Sequence, residues 1–305
     1  MAQTWAVRYT AADIAPGKLV ATAGVDLFVL GPAPASANAS TVTPKPAHLE
    51  VFPDPVTGRT AIVINPSTFE LAGPAGAGPV LAASLARYLG KGNGSRSGEA
   101  GLLFIGNDRR PDRGPSMATP CAKLTVDVAE LAEDGPHQGD DESYTLTVTS
   151  HNATLASKTV WGALRGLETL AQLLAVGTGS GLYFVDTQRI TDAPQYSYRG
   201  LMVDTARHFL PVPLLLATLD GMAIEKLNVL HWHAVDDESF PMPVPTLPEL
   251  EVAGPYGPRL SYSEADVARV VAYAKHRGVR VVIEMDTPGH SKVLQLIPMH
   301  DSSHT

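Results

Sequence analysis

The sequence predicts an α+β domain followed by the opening units of a (β/α)₈ barrel. Between about residues 46 and 190, short strand signals and helical periodicities follow one another without regular alternation, as in α+β folds. After Tyr198 the order becomes strand, helix, strand, helix, strand, and the strands are near-continuous apolar runs. Such runs mark a parallel sheet covered on both faces. Polar residues gather just past each of these three strands, where barrel enzymes build their sites. A doubly wound sheet is the competing architecture. No Gly-rich phosphate loop follows Gly200–Val203, which argues against dinucleotide binding.

Residues 1–45 are rich in Ala, Ser, Thr and Pro and lack sustained periodicity, so they are expected to be a poorly ordered lead-in. The α+β domain is placed at 46–192. In it Thr60–Ile64 and Leu102–Ile105 read as strands bounded by Gly or Pro. Val80–Leu89 reads as a helix and Gly90–Gly101 as a Gly/Ser-rich loop. Tyr144–Thr149 alternates with period two, as a half-buried strand does. Val160–Leu174 reads as an amphipathic helix, with Leu164, Leu167, Ala171 and Leu174 at helical spacing.

The barrel segment is placed at 193–305. Gly200–Val203 is its first strand and ends in Asp204-Thr205-Ala206-Arg207. Pro213–Glu225 is a helix with Pro in its first turn. Leu227–His231 is the second strand, leading to His233 and Asp236-Asp237-Glu238. Pro241–Pro258 reads as a Pro-rich loop. Ser263 caps a helix over Glu264–Arg277, with acids in its first turn and bases in its last, and Gly278 ends it. Val279–Met285 is the third strand, followed by Asp286-Thr287-Pro288-Gly289-His290.

Composition bounds the function. At 44% hydrophobic and 18% charged the chain can build a core. The net charge of −8 lacks the basic stripe of a nucleic-acid or membrane-surface binder. No apolar run is long enough for a transmembrane helix. Cys121 is the only cysteine, which excludes an intrachain disulfide and a Cys-based zinc cluster. Leu19–Ala37 is apolar and ends in a small-residue pattern, but Asp26 interrupts it, so the signal peptide is not clear. Sequons occur at Asn38, Asn93 and Asn152, mild support for a secretory route.

The strand ends offer Asp204 and Arg207, then His231, His233, Asp236, Asp237 and Glu238, then Glu284, Asp286 and His290. Each alone has a bland reading; their recurrence at three successive strand ends points to one pocket. Arg207 presents a rigid fork of donors for hydroxyl or carboxylate groups, or else pairs with Asp204. His290 can carry a proton or tune an acid, with Asp236 or Asp237 orienting it, or else it is a turn residue after Pro-Gly. His231 and His233 face the same side of a strand and could ligate zinc. Structural packing beside Trp232 is the favoured reading for them. Asp140-Asp141-Glu142 offers adjacent carboxylates such as a glycosidase uses. It lies far from the barrel strands in sequence and is expected to be a solvated loop.

Two stretches resemble glycoside hydrolase family 20, the β-N-acetylhexosaminidases of eukaryotic lysosomal type. The first is Asp141–Leu146 with Val160–Thr169, which resembles the family's accessory domain. The second, more specific, comprises Tyr198–Phe209, Lys226–Pro241 and Glu284–His290. The resemblance implies removal of terminal N-acetylglucosamine or N-acetylgalactosamine with retention, the substrate's 2-acetamido oxygen acting as nucleophile. It implies no metal or organic cofactor. Glycans ending in N-acetylhexosamine are the implied partners, with no nucleic acid or membrane, and a homodimer is possible only for a complete chain. A lysosomal, vacuolar or secreted location is implied. By motif match Arg207 binds sugar hydroxyls, Asp236 and His290 form the pair in line with the catalytic acid, and Asp286 supports the pocket wall.

One departure stands out. The family's catalytic Asp-Glu pair lies in a His-x-Gly-Gly-Asp-Glu type motif, and no such motif follows His290. From Arg199 to the last residue there are 107 residues, against roughly 250 for a whole barrel. The expectation is therefore a truncated barrel of three β/α units, inactive as an isolated chain. The alternatives are a metal-dependent barrel hydrolase using His231 and His233, and a non-catalytic carbohydrate- or partner-binding fragment.

Overall fold

A computed structural model of the chain describes residues 42, 44–53, 61–90, 102–104, 108–110, 121–177 and 181–296. All of these described residues belong to one compact unit. Of the expected lead-in, all but Val42, Pro44 and Lys45 lies outside the described residues. Val42 is buried in the first core rather than loose.

Among the described residues the first layer holds ten strands and two helices. In chain order these are β1 (His48–Val51), β2 (Ala61–Ile64), β3 (Glu70–Ala72), α1 (Pro79–Leu89), β4 (Asp108–Arg110), β5 (Lys123–Glu130), β6 (Tyr144–Val148), β7 (Asn152–Thr159), α2 (Val160–Leu173), β8 (Ala175–Gly177), β9 (Tyr183–Asp186) and β10 (Gln188–Asp192). A mixed six-stranded sheet has the order β1-β10-β6-β7-β5-β3, and a four-stranded sheet the order β2-β9-β8-β4. Leu102–Phe104 is a 3₁₀ turn and not the expected strand; Ile105 lies outside the described residues. A short apolar run fits either form, and here Leu103 is wholly buried where the turn meets α1 and α2.

The period-two pattern of β6 sends Tyr144, Leu146 and Val148 inward. They meet the Leu124 and Val126 face of β5 and the Ala153 and Leu155 face of β7, with α2 lying across all three strands. Thr159 caps α2 by accepting from the Gly162 N–H at 3.3 Å. Every residue of α2 is buried, polar ones included. Its polar face does not meet solvent, because residues of the second layer, from Ile224 to Gly278, bond to it.

The second layer is β11 (Gly200–Asp204), α3 (Val212–Ile224), β12 (Val229–Val235), α4 (Pro248–Ala253), α5 (Glu264–Lys275) and β13 (Arg280–Met285). The strands pair in parallel in the order β11-β12-β13. The expected Pro-rich loop holds α4, whose Leu250 is buried in the second core. The second strand starts later than expected, because Leu227 is used to close α3: its N–H reaches the Met222 carbonyl at 2.8 Å. Ser263 and Asp266 close a capping box at the start of α5. Trp232, Leu215, Leu219 and Val270 centre the second core.

Polar groups join the two layers. Glu142 is buried and not in a solvated loop. It accepts from Arg165 Nε at 2.5 Å, Arg199 Nη2 at 2.6 Å and Asn228 Nδ2 at 2.7 Å. Arg165 also donates to the carbonyls of Arg277 (3.2 Å) and Gly278 (2.7 Å). Burial opposes ionisation of Glu142, yet Arg165 and Arg199 hold its carboxyl below the usual range. Only Asp140 and Asp141 behave as loop residues, bonding the backbone of His137 and Ser143.

Candidate active site

Parallel register sets the geometry. Asp204 pairs with His233 and His233 with Glu284, so these three form one row across the strand ends. An irregularity between His233 and Val235 re-aims the chain into the turn where the Asp236 N–H bonds the Ser239 carbonyl at 3.0 Å. Strand alternation puts Trp232 on the opposite side, fully buried, its Nε1 donating to Thr205 Oγ1 at 2.8 Å.

Asp236 is the hub, with only 1% of its surface exposed. Its Oδ1 accepts from the Asp237 N–H (2.7 Å) and from His290 Nδ1 (3.1 Å). Its Oδ2 meets Arg207 Nη2 (2.5 Å) and His233 Nε2 (3.0 Å). Burial alone would raise this carboxyl's pKa. The donors from Asp237, His233 and His290 and the Arg207 charge outweigh it and hold the group well below the ordinary carboxylate range.

Arg207 is positioned from its own turn. Asp204 Oδ1 accepts the backbone N–H groups of Ala206 (3.0 Å) and Arg207 (3.1 Å), and Oδ2 takes Arg207 Nη1 at 2.7 Å. The Asp204 pair and the Asp236 contact therefore coexist. Arg207 Nε also lies 3.5 Å from Glu238. The Arg207 side chain as a whole is 40% exposed. His290 sits at φ 54°, an uncommon backbone state outside glycine. Its Nδ1 is engaged by Asp236 while the side chain is 58% exposed.

The two strand histidines do not pack beside Trp232. Both meet one carboxylate oxygen, Glu284 Oε2, His231 through Nε2 at 2.5 Å and His233 through Nδ1 at 3.1 Å. These bonds hold Glu284 below its usual range. Burial works against charge on His233, but Glu284 and Asp236 raise its pKa overall. His233, Asp236 and Asp286 offer ligand atoms within 4.8 Å of one another, as do Asp236, Asp237 and His290. His231 belongs to neither group among the described residues. A divalent cation in either would compete with the Arg207 and His290 contacts to Asp236. Asp286 lies in the same cluster at intermediate exposure, beside Glu284.

Sequence reasoning brings Arg207, Asp236, His290 and Asp286 to one place, and they do converge. It missed Lys292, whose N–H and Nζ bind Asp237 at 2.9 and 3.1 Å and tie the turn after β13 to the turn after β12. No motif marks this lysine. It also missed that His233 links Asp236 to Glu284; the spacing of His231 and His233 was the available signal.

Residues 196–300 match the family model for the glycosyl hydrolase family 20 catalytic domain, and residues 42–173 match the beta-acetyl hexosaminidase like model. The chain is 49% identical over 156 residues to the beta-hexosaminidase subunit beta of Homo sapiens, covering 51% of this chain and 28% of that protein. It is similar in structure to the Flavobacterium johnsoniae chitobiase, with a TM-score of 0.66 and 28% identity over 83% of this chain and 36% of that one. It is likewise similar to the family 20 beta-N-acetylhexosaminidase of Streptomyces coelicolor A3(2), with a TM-score of 0.61 and 26% identity over 84% of this chain and 48% of that one. The chain spans roughly a third of the length of the curated relatives it matches. Both family models, met in order along one chain, carry the same conclusion as the strand-end motifs: the chain belongs to glycosyl hydrolase family 20.

Proposed function

We propose that this chain carries the accessory domain and the first three β/α units of a β-N-acetylhexosaminidase, and with them part of its sugar-recognition apparatus. The whole enzyme would release terminal N-acetylglucosamine or N-acetylgalactosamine from glycans. The bond from the substrate's acetamido oxygen to the anomeric carbon forms as the glycosidic bond breaks. A carboxylic acid gives its proton to the departing oxygen, and water then restores the starting configuration. Such substrate assistance needs no enzymic nucleophile and no metal.

The observation that carries the reading is the Arg207–Asp236–His290 arrangement. An ionised, buried Asp236 obliges His290 Nδ1 to donate, because a carboxylate only accepts. His290 Nε2 is thereby left to face the acid it would align. Arg207, braced by Asp204 and Asp236 on a side chain left 40% exposed, would turn part of its donor fork to ring hydroxyls. Asp286 would support the pocket wall. A general acid within a His-x-Gly-Gly-Asp-Glu motif is not among these 305 residues. For this chain by itself the reading is recognition without turnover. A lysosomal, vacuolar or secreted setting goes with it, and the Asn152 sequon is exposed at the start of β7.

Two measurements on the purified chain test this. An aryl N-acetylglucosaminide should show no hydrolysis above the blank, and measurable turnover would refute the inactivity. Calorimetry should show N-acetylglucosamine binding at millimolar concentration that Arg207→Ala abolishes. No heat from the unaltered chain would refute the recognition role.

A further inference from the structure

We infer that His233 is a positioning residue of this site, the strut that keeps Asp236 aimed at His290 when Arg207 turns to a ligand. The inference rests on the proposed sugar-site reading of Arg207, Asp236 and His290.

Asp236 Oδ2 has two side-chain partners of different character. Arg207 reaches it at 2.5 Å from a long side chain that is 40% exposed and also holds Asp204. An arginine that binds sugar hydroxyls must redirect part of its donor fork, so its hold on Asp236 is the one that loosens. His233 reaches the same oxygen at 3.0 Å from a short side chain that is 8% exposed and sits on a paired strand. Its ring cannot turn away, because Nδ1 is fixed at 3.1 Å by Glu284 on the neighbouring strand β13. Glu284 is in turn gripped by His231 at 2.5 Å. Asp236, His233, Glu284 and His231 therefore form a chain of contacts between two strands of fixed register.

The consequence is directional. With Oδ2 held by His233 and Oδ1 by the Asp237 N–H at 2.7 Å, the carboxylate plane has no freedom to rotate, and Oδ1 stays 3.1 Å from His290 Nδ1. His290 is exposed and sits past β13, so it has few other restraints. Its tautomer follows the orientation of Asp236. Arg207 Nη2 shares Asp236 Oδ2 with His233 Nε2, and Nη1, which donates to Asp204 Oδ2, lies 3.2 Å from the same ring nitrogen.

The test separates the two ends of the ring. An asparagine amide nitrogen can stand where histidine Nδ1 stands, and a glutamine amide nitrogen where Nε2 stands. His233→Asn should keep the Glu284 side and lose the Asp236 side; His233→Gln should do the reverse. Multiple-bond ¹H–¹⁵N NMR of the histidines reads the result without any sugar. In the unaltered chain both ring nitrogens of His233 should carry protons, and His290 should be a single species protonated on Nδ1. His233→Asn should mix the His290 tautomers, and His233→Gln should restore the single form. The affinity for N-acetylglucosamine should fall about tenfold in His233→Asn, the scale of one lost charge-assisted hydrogen bond, and less than about threefold in His233→Gln. A bare Nε2 on His233 in the unaltered chain overturns the inference with no variant needed. So does a His290 tautomer that is the same in all three proteins. Tautomer switching in a chain that binds no sugar would sustain His233 as the strut and refute the recognition role instead.

Discussion

Lys226 occupies the position after α3 where a glycine is usual. Its φ is 56°, its N–H bonds the Ala223 carbonyl at 3.1 Å, and the Leu227 N–H bonds the Met222 carbonyl at 2.8 Å. This is the left-handed helix-ending turn that glycine adopts without strain. The lysine is explained by its side chain, which enters the first layer and donates to Thr169 Oγ1 at 2.7 Å over the Tyr144 ring. Burial lowers its pKa to about 8, while Asp192, Glu168 and Glu225 pull upward and Arg165 pushes down. A native pKa near 8 against roughly 10.4 unfolded means the unfolded chain binds more protons between those values. Stability therefore rises with pH across that window, and the cost of charging is fully present below it. From pH 7.5 to 9.5 the unfolding free energy should increase by about 2 kcal/mol through this group alone. Denaturant titrations at the two pH values, with Lys226→Met as the reference, check this. A change of the same size in both proteins would assign the effect elsewhere.

At the scale of elements, α2 shows how context reverses propensity. It contains Gly162 and Gly166, which in an isolated helix should be weaker than alanine by up to about 1 kcal/mol. A β-carbon at Gly162 would lie 2.3 Å from the Ser143 carbonyl oxygen, and one at Gly166 would lie 2.2 Å from Leu155 Cδ1. The glycines let the helix approach the β6 entry and β7, and that approach builds the first core. Gly221, inside α3, has nothing within 4 Å of its missing β-carbon. Gly162→Ala should therefore destabilise the protein by about 1–3 kcal/mol, the cost of overpacking. Gly221→Ala should stabilise it by roughly 0.5–1 kcal/mol through helix propensity. Urea midpoints of the two variants decide it, and a stabilised Gly162→Ala would contradict the packing account.

Over the whole molecule, Glu142 joins the layers. It reaches Arg165 on α2, Arg199 just before β11 and Asn228 just before β12. One carboxylate from the first layer thus sets where two strands of the parallel sheet begin, and Arg165 fixes the approach to the third through the Arg277 and Gly278 carbonyls. Removing its charge leaves Arg165, 3% exposed, and Arg199 without their anion. Breaking a buried pair this way costs about 3–5 kcal/mol. Glu142→Gln should lower the thermal midpoint and make the 193–199 connection the first site of limited proteolysis. An unchanged midpoint would show that the layers are held without the Glu142 charge. The outer edge of β13, with Val282 and Ile283 exposed, has no strand beside it among the described residues.

How much of this could be read in the chain follows from the range of each interaction. Local patterns were legible. The alternation of Tyr144–Val148, the Ser263 cap with Asp266 three residues on, and Gly278 in its left-handed turn depend only on near neighbours. The convergence of Arg207, Asp236 and His290 was legible too, because parallel strands bring their ends together by topology. The tertiary structure alone decided the rest. Leu102–Phe104 became a turn because Leu103 had to reach a core made of distant segments. Glu142, one of three neighbouring acids, went inside because its partners lie 23, 57 and 86 residues away. His233 became a strut because register, not spacing, set it opposite Glu284. A sequence states which side chains can pair within a turn or a strand. Which distant charge neutralises a buried one is settled only when burial makes the unpaired state too costly.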